Sequence, residues 1–240
     1  MVVWKQKYVF PEKWEIIMQD KKLYLVDDDE SVLDALCFML EGEGYQPRSF
    51  SSAEEFLSFV TQHSESLEVC SCLVLDCRMP GMSGQELQIR LNQSNSLMSV
   101  IFLTGHGDIP IAVDSLKRGA VDFLQKPIDS EMLLRAIASG LEMSARRIIL
   151  NKLINAYEQL TRRERDVLHL LIEGKTNYQI AESLFIAVRT VEVHRASIMQ
   201  HMRVSSLAEM IRHYTQIEPF LDPTKQAPAR IRRKRKITPR

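Results

Sequence analysis

Four short apolar runs in this 240-residue chain lead into residue types that handle phosphate or a hard cation. The run 23–26 is followed by Asp27-Asp28-Asp29, 72–75 by Asp76, 100–103 by Thr104, and 121–124 leads, past Gln125, to Lys126-Pro127. Carboxylates gathered at one place repel each other, and some take up protons unless a cation holds them. A hard divalent ion answers that need, and Mg2+ suits a shallow site with few carboxylates that keeps waters and binds a phosphate. The chemistry is then phosphoryl transfer, with Lys126 as a point charge, Thr104 as a hydroxyl donor and one carboxylate attacking phosphorus in line. Asp76 is the candidate nucleophile, being the single acid on its run and followed by the loop 78–84, which leaves it accessible. Acids at strand ends are ordinarily just solvated and Lys-Pro is an ordinary turn, so the joint occurrence on four runs carries the reading.

For these groups to meet, the runs must be neighbouring strands. Five apolar runs alternate with helical patterns at 32–40, 53–60, 85–92, 111–118 and from 132 onward. Unbroken apolar strands are covered on both faces, which predicts a doubly wound α/β fold, a five-stranded parallel sheet wrapped by helices. With strand order 2-1-3-4-5, the first and third strands are neighbours, and ligands bind beyond their carboxyl ends where the order reverses. Asp27, Asp28 and Asp76 then converge on one edge, flanked by Thr104 and Lys126.

The formal charge is zero, but it is segregated: residues 19–142 carry a net −11, 143–218 carry +3, and 219–240 carry +7. Neutralising phosphates drives nucleic-acid affinity, so any such binding belongs to the basic second half. Length and pattern predict an N-terminal extension at 1–20, an α/β domain at 21–142, a helical linker at 143–156, an all-α domain at 157–217 and a basic tail at 218–240. Met18 stands as an alternative start, since the organised pattern opens only at Lys21. Cys37, Cys70, Cys72 and Cys77 lack zinc-finger spacing, which points to reduced thiols; Cys70-x-Cys72 is a weak redox signal. No run approaches the roughly 18 apolar residues of a membrane span, so a cytoplasmic protein with no membrane partner is expected.

In the second half, Thr161-x-x-Glu164, Thr176-x-x-Gln179 and Ser206-x-x-Glu209 read as capping boxes that open helices. Gly174 suits a left-handed helix stop. Residues 176–184, a turn at 185–187 and a helix at 188–201 have the proportions of a helix-turn-helix, whose second helix enters the major groove. On the helical wheel Val191 and Ile198 point one way and Arg189, Val193, Ala196 and Gln200 the other. Arg189 could donate to guanine or phosphate, Glu192 accept from cytosine, and Val193 or Ala196 touch a thymine methyl. Lys175, Asn177, Thr190 and Arg195 suit phosphate positioning. A four-helix protein-binding domain is the alternative.

Residues 21–142 resemble a response-regulator receiver domain, through 26–30 (VDDDE), 75–84 (LDCRMPGMSG), 103–108 (LTGHGD) and 123–127 (FLQKP). The resemblance implies phosphorylation of Asp76 by a sensor histidine kinase. It also implies Mg2+ ligation by Asp28, Asp76 and the Arg78 carbonyl, with Asp27 acting through water, and a cis Lys126-Pro127 bond. A switch is implied in which Thr104 moves onto the phosphoryl group and Phe123 turns inward; a plain core aromatic is the equal alternative at Phe123. Residues 157–214 resemble the LuxR-type helix-turn-helix of NarL/FixJ regulators, through 160–164, 174–177, Ile180-Ala181 and 190–195. That implies base-facing positions at Glu192, Val193 and Ala196, dimers on an inverted-repeat DNA site, and dimerisation on phosphorylation through the helix 111–118. Activation rather than repression is the family habit, which brings in RNA polymerase as a further partner. Ala187 departs from the family's usual Ser, losing an N-cap typically worth about 1 kcal/mol. An aspartate-nucleophile phosphatase is disfavoured because Arg78 stands where its second acid is expected. A receiver that no longer takes phosphate stays open, and the expectation is a phosphoacceptor that catalyses only its own phosphoryl transfer and dephosphorylation.

Overall fold

The computed structural model describes residues 20–63, 69–105 and 109–221. The N-terminal extension with Met18, the segment His106-Gly107-Asp108 and the basic tail from 222 onward lie outside them. The chain divides into two compact units between Ile148 and Ile149.

In the first unit, strands β1 (Lys22–Val26), β2 (Pro47–Phe50), β3 (Ser71–Asp76), β4 (Ser99–Thr104) and β5 (Asp122–Gln125) form one sheet in the order β2-β1-β3-β4-β5. Every pairing is parallel, as the expected crossover order requires. Helices α1 (Glu30–Gly42), α2 (Ala53–Gln62), α3 (Gly84–Gln93) and α4 (Ile109–Lys117) alternate with the strands, and α5 (Ser130–Glu158) follows β5. The side-chain period of two sends alternate residues of β1, β3 and β4 into cores on opposite faces of the sheet, so these strands are buried on both sides. Leu23, Leu25, Cys72, Val74, Ile101 and Leu103 pack with Leu33, Leu36 and Leu40 of α1 and Leu133, Ile137 and Leu141 of α5. Their neighbours Tyr24, Val26, Leu73, Leu75, Val100 and Phe102 pack on the other face with Phe56 and Val60 of α2 and Leu87 and Leu91 of α3. Each such side chain contributes about 1.5–3 kcal/mol on burial, so the two cores fix the register of the strand ends.

The second unit takes the rest of α5 and then α6 (Arg162–Ile172), α7 (Asn177–Leu184), α8 (Val188–Met202) and α9 (Leu207–Leu221). Both reciprocal capping boxes at Thr161/Glu164 and Thr176/Gln179 form. The third differs from expectation. Ser206 Oγ accepts from Glu209 N at 3.2 Å, but the Glu209 carboxylate turns to the N–H and hydroxyl of Ser205, at 2.8 and 3.1 Å. Gly174 takes φ +81° after α6, the left-handed stop that its position suggested. Val191, Ile198 and Met202 of α8 are buried with Val167, Leu168 and Leu171 of α6 and Ile180 and Ala181 of α7.

Candidate functional site

Strand register builds the site. Val26 pairs with Leu75, so the residues that follow, Asp27 and Asp76, leave adjacent strands at the same level. Backbone bonds hold the exits: Asp27 N to Phe50 O at 3.3 Å, Cys77 N to Leu103 O at 2.9 Å and Lys126 N to Thr104 O at 2.7 Å. Pro127 follows through a cis peptide bond. Gly84, the first residue of α3, has no freedom to be anything larger, because a Cβ there would lie 2.1 Å from the Asp76 carbonyl oxygen.

Lys126 closes the arrangement. Its Nζ donates to Asp27 Oδ2 and to Asp76 Oδ1, both at 2.6 Å. Both carboxylates are buried. Asp76 Oδ2 accepts from Arg78 N at 2.6 Å, and Asp27 Oδ1 from Asp29 N at 3.1 Å. Burial pushes the Asp76 carboxyl above the ordinary carboxylate value, although Lys126 and the Arg78 N–H pull the other way. Burial also disfavours the Lys126 ammonium, but hydrogen bonds to Asp27 and Asp76 outweigh it and hold its pKa above the usual lysine value.

The aspartate run divides its duties, because successive side chains point to different sides. Asp27 is buried in the site and Asp28 is exposed beside it. Asp29 is the N-cap of α1, accepting from Ser31 N at 2.9 Å. Thr104 is buried at the end of β4, its hydroxyl donating to Gly105 O at 3.1 Å. Phe123 is half-buried on β5, its ring centroid 6.1 Å from that of Phe102. The Arg78 side chain is exposed.

Among the described residues, no three His, Cys, Asp or Glu side chains form a group that could hold a metal. Here the Lys126 ammonium bridges Asp27 and Asp76. The donor chemistry nevertheless fits a hard divalent ion. One ammonium faces two buried carboxylates with Asp28 alongside, an excess of anionic oxygen that such an ion neutralises.

One contributor left no local signal in the sequence. Glu54 of α2 accepts from Met82 N at 2.7 Å across 28 residues, and its Oε1 would lie only 2.6 Å from a Cβ on Gly81, which takes φ +76°. It pins the loop between β3 and α3. The thiols Cys70 and Cys72, at the amino-terminal end of β3 away from the site, are not poised for redox chemistry. Burial pushes Cys70 up to about 11, and Cys72, fully enclosed, is raised further.

In the second unit, Arg189, Thr190, Glu192, Val193 and Ala196 are all exposed on α8. Arg189 Nη1 and Glu192 Oε2 form an ion pair at 3.1 Å. Arg195 donates to Asn177 Oδ1, so these two half-buried residues lock α8 to the start of α7. Lys175 is half-buried and pairs with Glu173 at 3.3 Å. Ala187 has the extended N-cap backbone (φ −71°, ψ 147°) and makes no side-chain capping bond. Glu164 of α6 ties α8 to the α6 cap: it accepts from Thr161 N at 2.7 Å, from Thr161 Oγ at 2.8 Å and from Ser197 Oγ of α8.

Comparison with known proteins places both units. Residues 23–138 match the response regulator receiver domain, and residues 158–214 match the bacterial regulatory proteins of the luxR family. The chain is 43% identical over 192 residues to the tetrathionate response regulatory protein TtrR of Salmonella typhimurium, covering 80% of this chain and 91% of that one. It is 40% identical over 197 residues to the transcriptional regulatory protein FixJ of Azorhizobium caulinodans, covering 79% and 90%. The solved structure of the response regulator StyR superposes with a TM-score of 0.62 at 41% identity, covering 82% of this chain and 98% of that one.

Proposed function

Since the chain belongs to the two-component response regulators of the NarL/FixJ type, with a receiver followed by a LuxR-type DNA-binding domain, we propose that phosphorylation of Asp76 controls its DNA binding. The receiver spans 21–142, the linker 143–156 and the DNA-binding domain 157–217, with extensions at 1–20 and 218–240. The observation that carries this reading is the convergence of Asp27, Asp76 and Lys126 at the carboxyl edge of the sheet, with both contacts at 2.6 Å.

An Asp76 carboxylate oxygen attacks phosphorus of a phosphohistidine on the sensor kinase. The P–N bond breaks as the P–O bond forms, and the imidazole leaves with the electron pair. Lys126, already at Asp76, stays to meet the charge of the transferred group, and the Arg78 N–H holds Asp76 in position. Asp28, Asp76 and the Arg78 carbonyl, with Asp27 acting through water, would hold Mg2+, which would neutralise phosphoryl oxygens. Thr104 exchanges its bond to Gly105 O for one to the new phosphoryl oxygen, and Phe123 turns into the space that the hydroxyl vacates. The protein is a phosphoacceptor rather than an enzyme acting on others, catalysing only its own phosphorylation and dephosphorylation.

The phosphorylated receiver dimerises through α4 and β5 and brings two α8 helices to an inverted-repeat site. Glu192, Val193 and Ala196 face bases there with Arg189, while Lys175, Asn177, Thr190 and Arg195 serve the backbone contacts. The outcome is activation in concert with RNA polymerase, in the cytoplasm; among the described residues no helix is long and apolar enough to cross a membrane. Incubation with acetyl phosphate and Mg2+, followed by peptide mass spectrometry, tests the acceptor: one phosphoryl group on Asp76 is expected, and an unmodified Asp76 overturns the reading.

A further inference from the structure

Helix α7 ends on Phe185, which takes φ 53° and ψ 48°, the left-handed conformation. Side chains with a Cβ occupy that region at a cost, which is why Gly or Asn usually stands there. Phe185 recovers none of that cost through burial, being 95% exposed, the most exposed large apolar side chain among the described residues. Scattered apolar side chains at a surface are ordinary, but an aromatic ring on a left-handed residue, turned wholly to solvent, is not.

The turn holds the ring out. Phe185 N donates to Glu182 O at 3.3 Å, Ile186 N to Ala181 O at 3.0 Å, and the guanidinium of Arg163 to Leu184 O at 3.3 Å. Three residues later Val188 opens α8, and a helix-turn-helix presents the N-terminal residues of its second helix to base edges. The exposed surface at that entrance combines apolar Val188 and Val193 with Arg189 and Thr190. Thymine methyls and deoxyribose offer apolar partners and phosphates offer anionic ones, so the mixture matches duplex DNA.

We propose that Phe185 is a specificity-determining residue that enters the major groove ahead of α8 and packs on the C5-methyl of a thymine in each half-site. The proposal rests on the DNA-binding reading of the second unit. Its test begins by selecting a binding duplex from a randomised pool with the full chain treated with acetyl phosphate and Mg2+. Binding is then measured to that duplex and to copies in which each thymine in turn is replaced by deoxyuridine, which lacks only the methyl. Wild-type protein should lose about fourfold in affinity at one thymine per half-site, the effect of one buried methyl. Phe185→Asn should bind the parent duplex more weakly, respond to every other uracil as wild type does and ignore that one. Its melting temperature should hold or rise, because Asn accommodates the left-handed backbone. Phe185→Gly gives a second variant with the same expected pattern should the Asn protein fold poorly.

Equal affinity and an unchanged uracil response in both variants would overturn the proposal while leaving the DNA-binding reading standing. A uniform loss on all duplexes together with a lower melting temperature would make Phe185 merely structural and also overturn it. If wild type enriches no duplex, the DNA-binding reading itself falls and the proposal with it.

Discussion

Lys126→Met should destabilise the receiver by an amount that acid and divalent ions both restore. Two contacts of 2.6 Å to one nitrogen put the Asp27 and Asp76 oxygens within about 5 Å of each other, in buried positions. With the ammonium gone, two ionised carboxylates at that separation repel by about 3 kcal/mol at an effective dielectric constant near 20. Breaking one side of a buried charge cluster typically costs about 3–5 kcal/mol, and the partial exposure of Lys126 lowers this. We therefore expect a loss of about 2–3 kcal/mol at pH 7.5, or roughly 10 °C in melting temperature for a domain of this size.

The sign of the pH effect follows from the carboxyls. Burial already holds Asp76 above its ordinary value, and losing Lys126 raises it further. A carboxyl raised in the folded state penalises folding only while it is ionised, so the deficit should shrink as pH falls through the raised folded value. Mg2+ should likewise rescue the variant more than the wild type. Thermal unfolding followed by circular dichroism at pH 5 and 7.5, with and without 10 mM-scale Mg2+ as a roughly saturating concentration, measures all of this. A melting temperature equal to wild type at pH 7.5, or a deficit independent of pH, would refute the reasoning.

Three further perturbations probe the two units. Ala187→Ser should add a missing N-cap to a backbone that already has the capping conformation, stabilising the DNA-binding domain by about 1 kcal/mol in urea unfolding. Burial opposes ionisation of Glu164, but hydrogen bonds from Ser197 and Thr161 outweigh it and hold its pKa below the ordinary glutamate value. Its stabilisation is therefore full above about pH 4.5 and lost as pH falls through the lowered folded value, so Glu164→Gln should cost about 2 kcal/mol at pH 7 and progressively less as pH falls through that lowered value. Gln88 and Ser115 are fully buried between α3 and α4, with Gln88 Oε1 and Ser115 Oγ unsatisfied among the described residues. Gln88 Nε2 donates to Ser115 O, which also accepts from Ala120 N, so Gln88→Leu should leave that carbonyl paired and raise receiver stability by about 1 kcal/mol in thermal unfolding.

The three central strands were legible in the sequence because they are covered on both faces. The expected runs at 23–26, 72–75 and 100–103 lie within β1, β3 and β4, since burial on both sides leaves no polar residue to blur a boundary. The residues that end those runs, Asp27, Asp76 and Thr104, were legible for the same reason, and Lys126 was legible as the cation that follows the apolar run at 121–124. What escaped is contact between side chains far apart in the chain. Asp27 and Asp28 look alike in sequence, and only the direction of each side chain at the strand end separates the buried one from the exposed one. Lys126 read as an added point charge, whereas it joins two carboxylates from different strands. Arg195 and Asn177 read as separate phosphate contacts, and their mutual bond spans 18 residues with no periodic trace. Glu54 carried no local signal because its partner is a backbone N–H 28 residues away. Phe185 needed its backbone conformation and exposure to become informative, since a turn phenylalanine in sequence is simply apolar.

The claim that Asp76 governs DNA binding is tested most directly by operator affinity before and after treatment with acetyl phosphate and Mg2+, measured for wild type and Asp76→Asn in parallel. A gain in affinity for wild type, absent in Asp76→Asn while both bind equally when untreated, is the predicted result. An equal gain in both proteins, or none in wild type whose Asp76 is shown to carry phosphate, would contradict it.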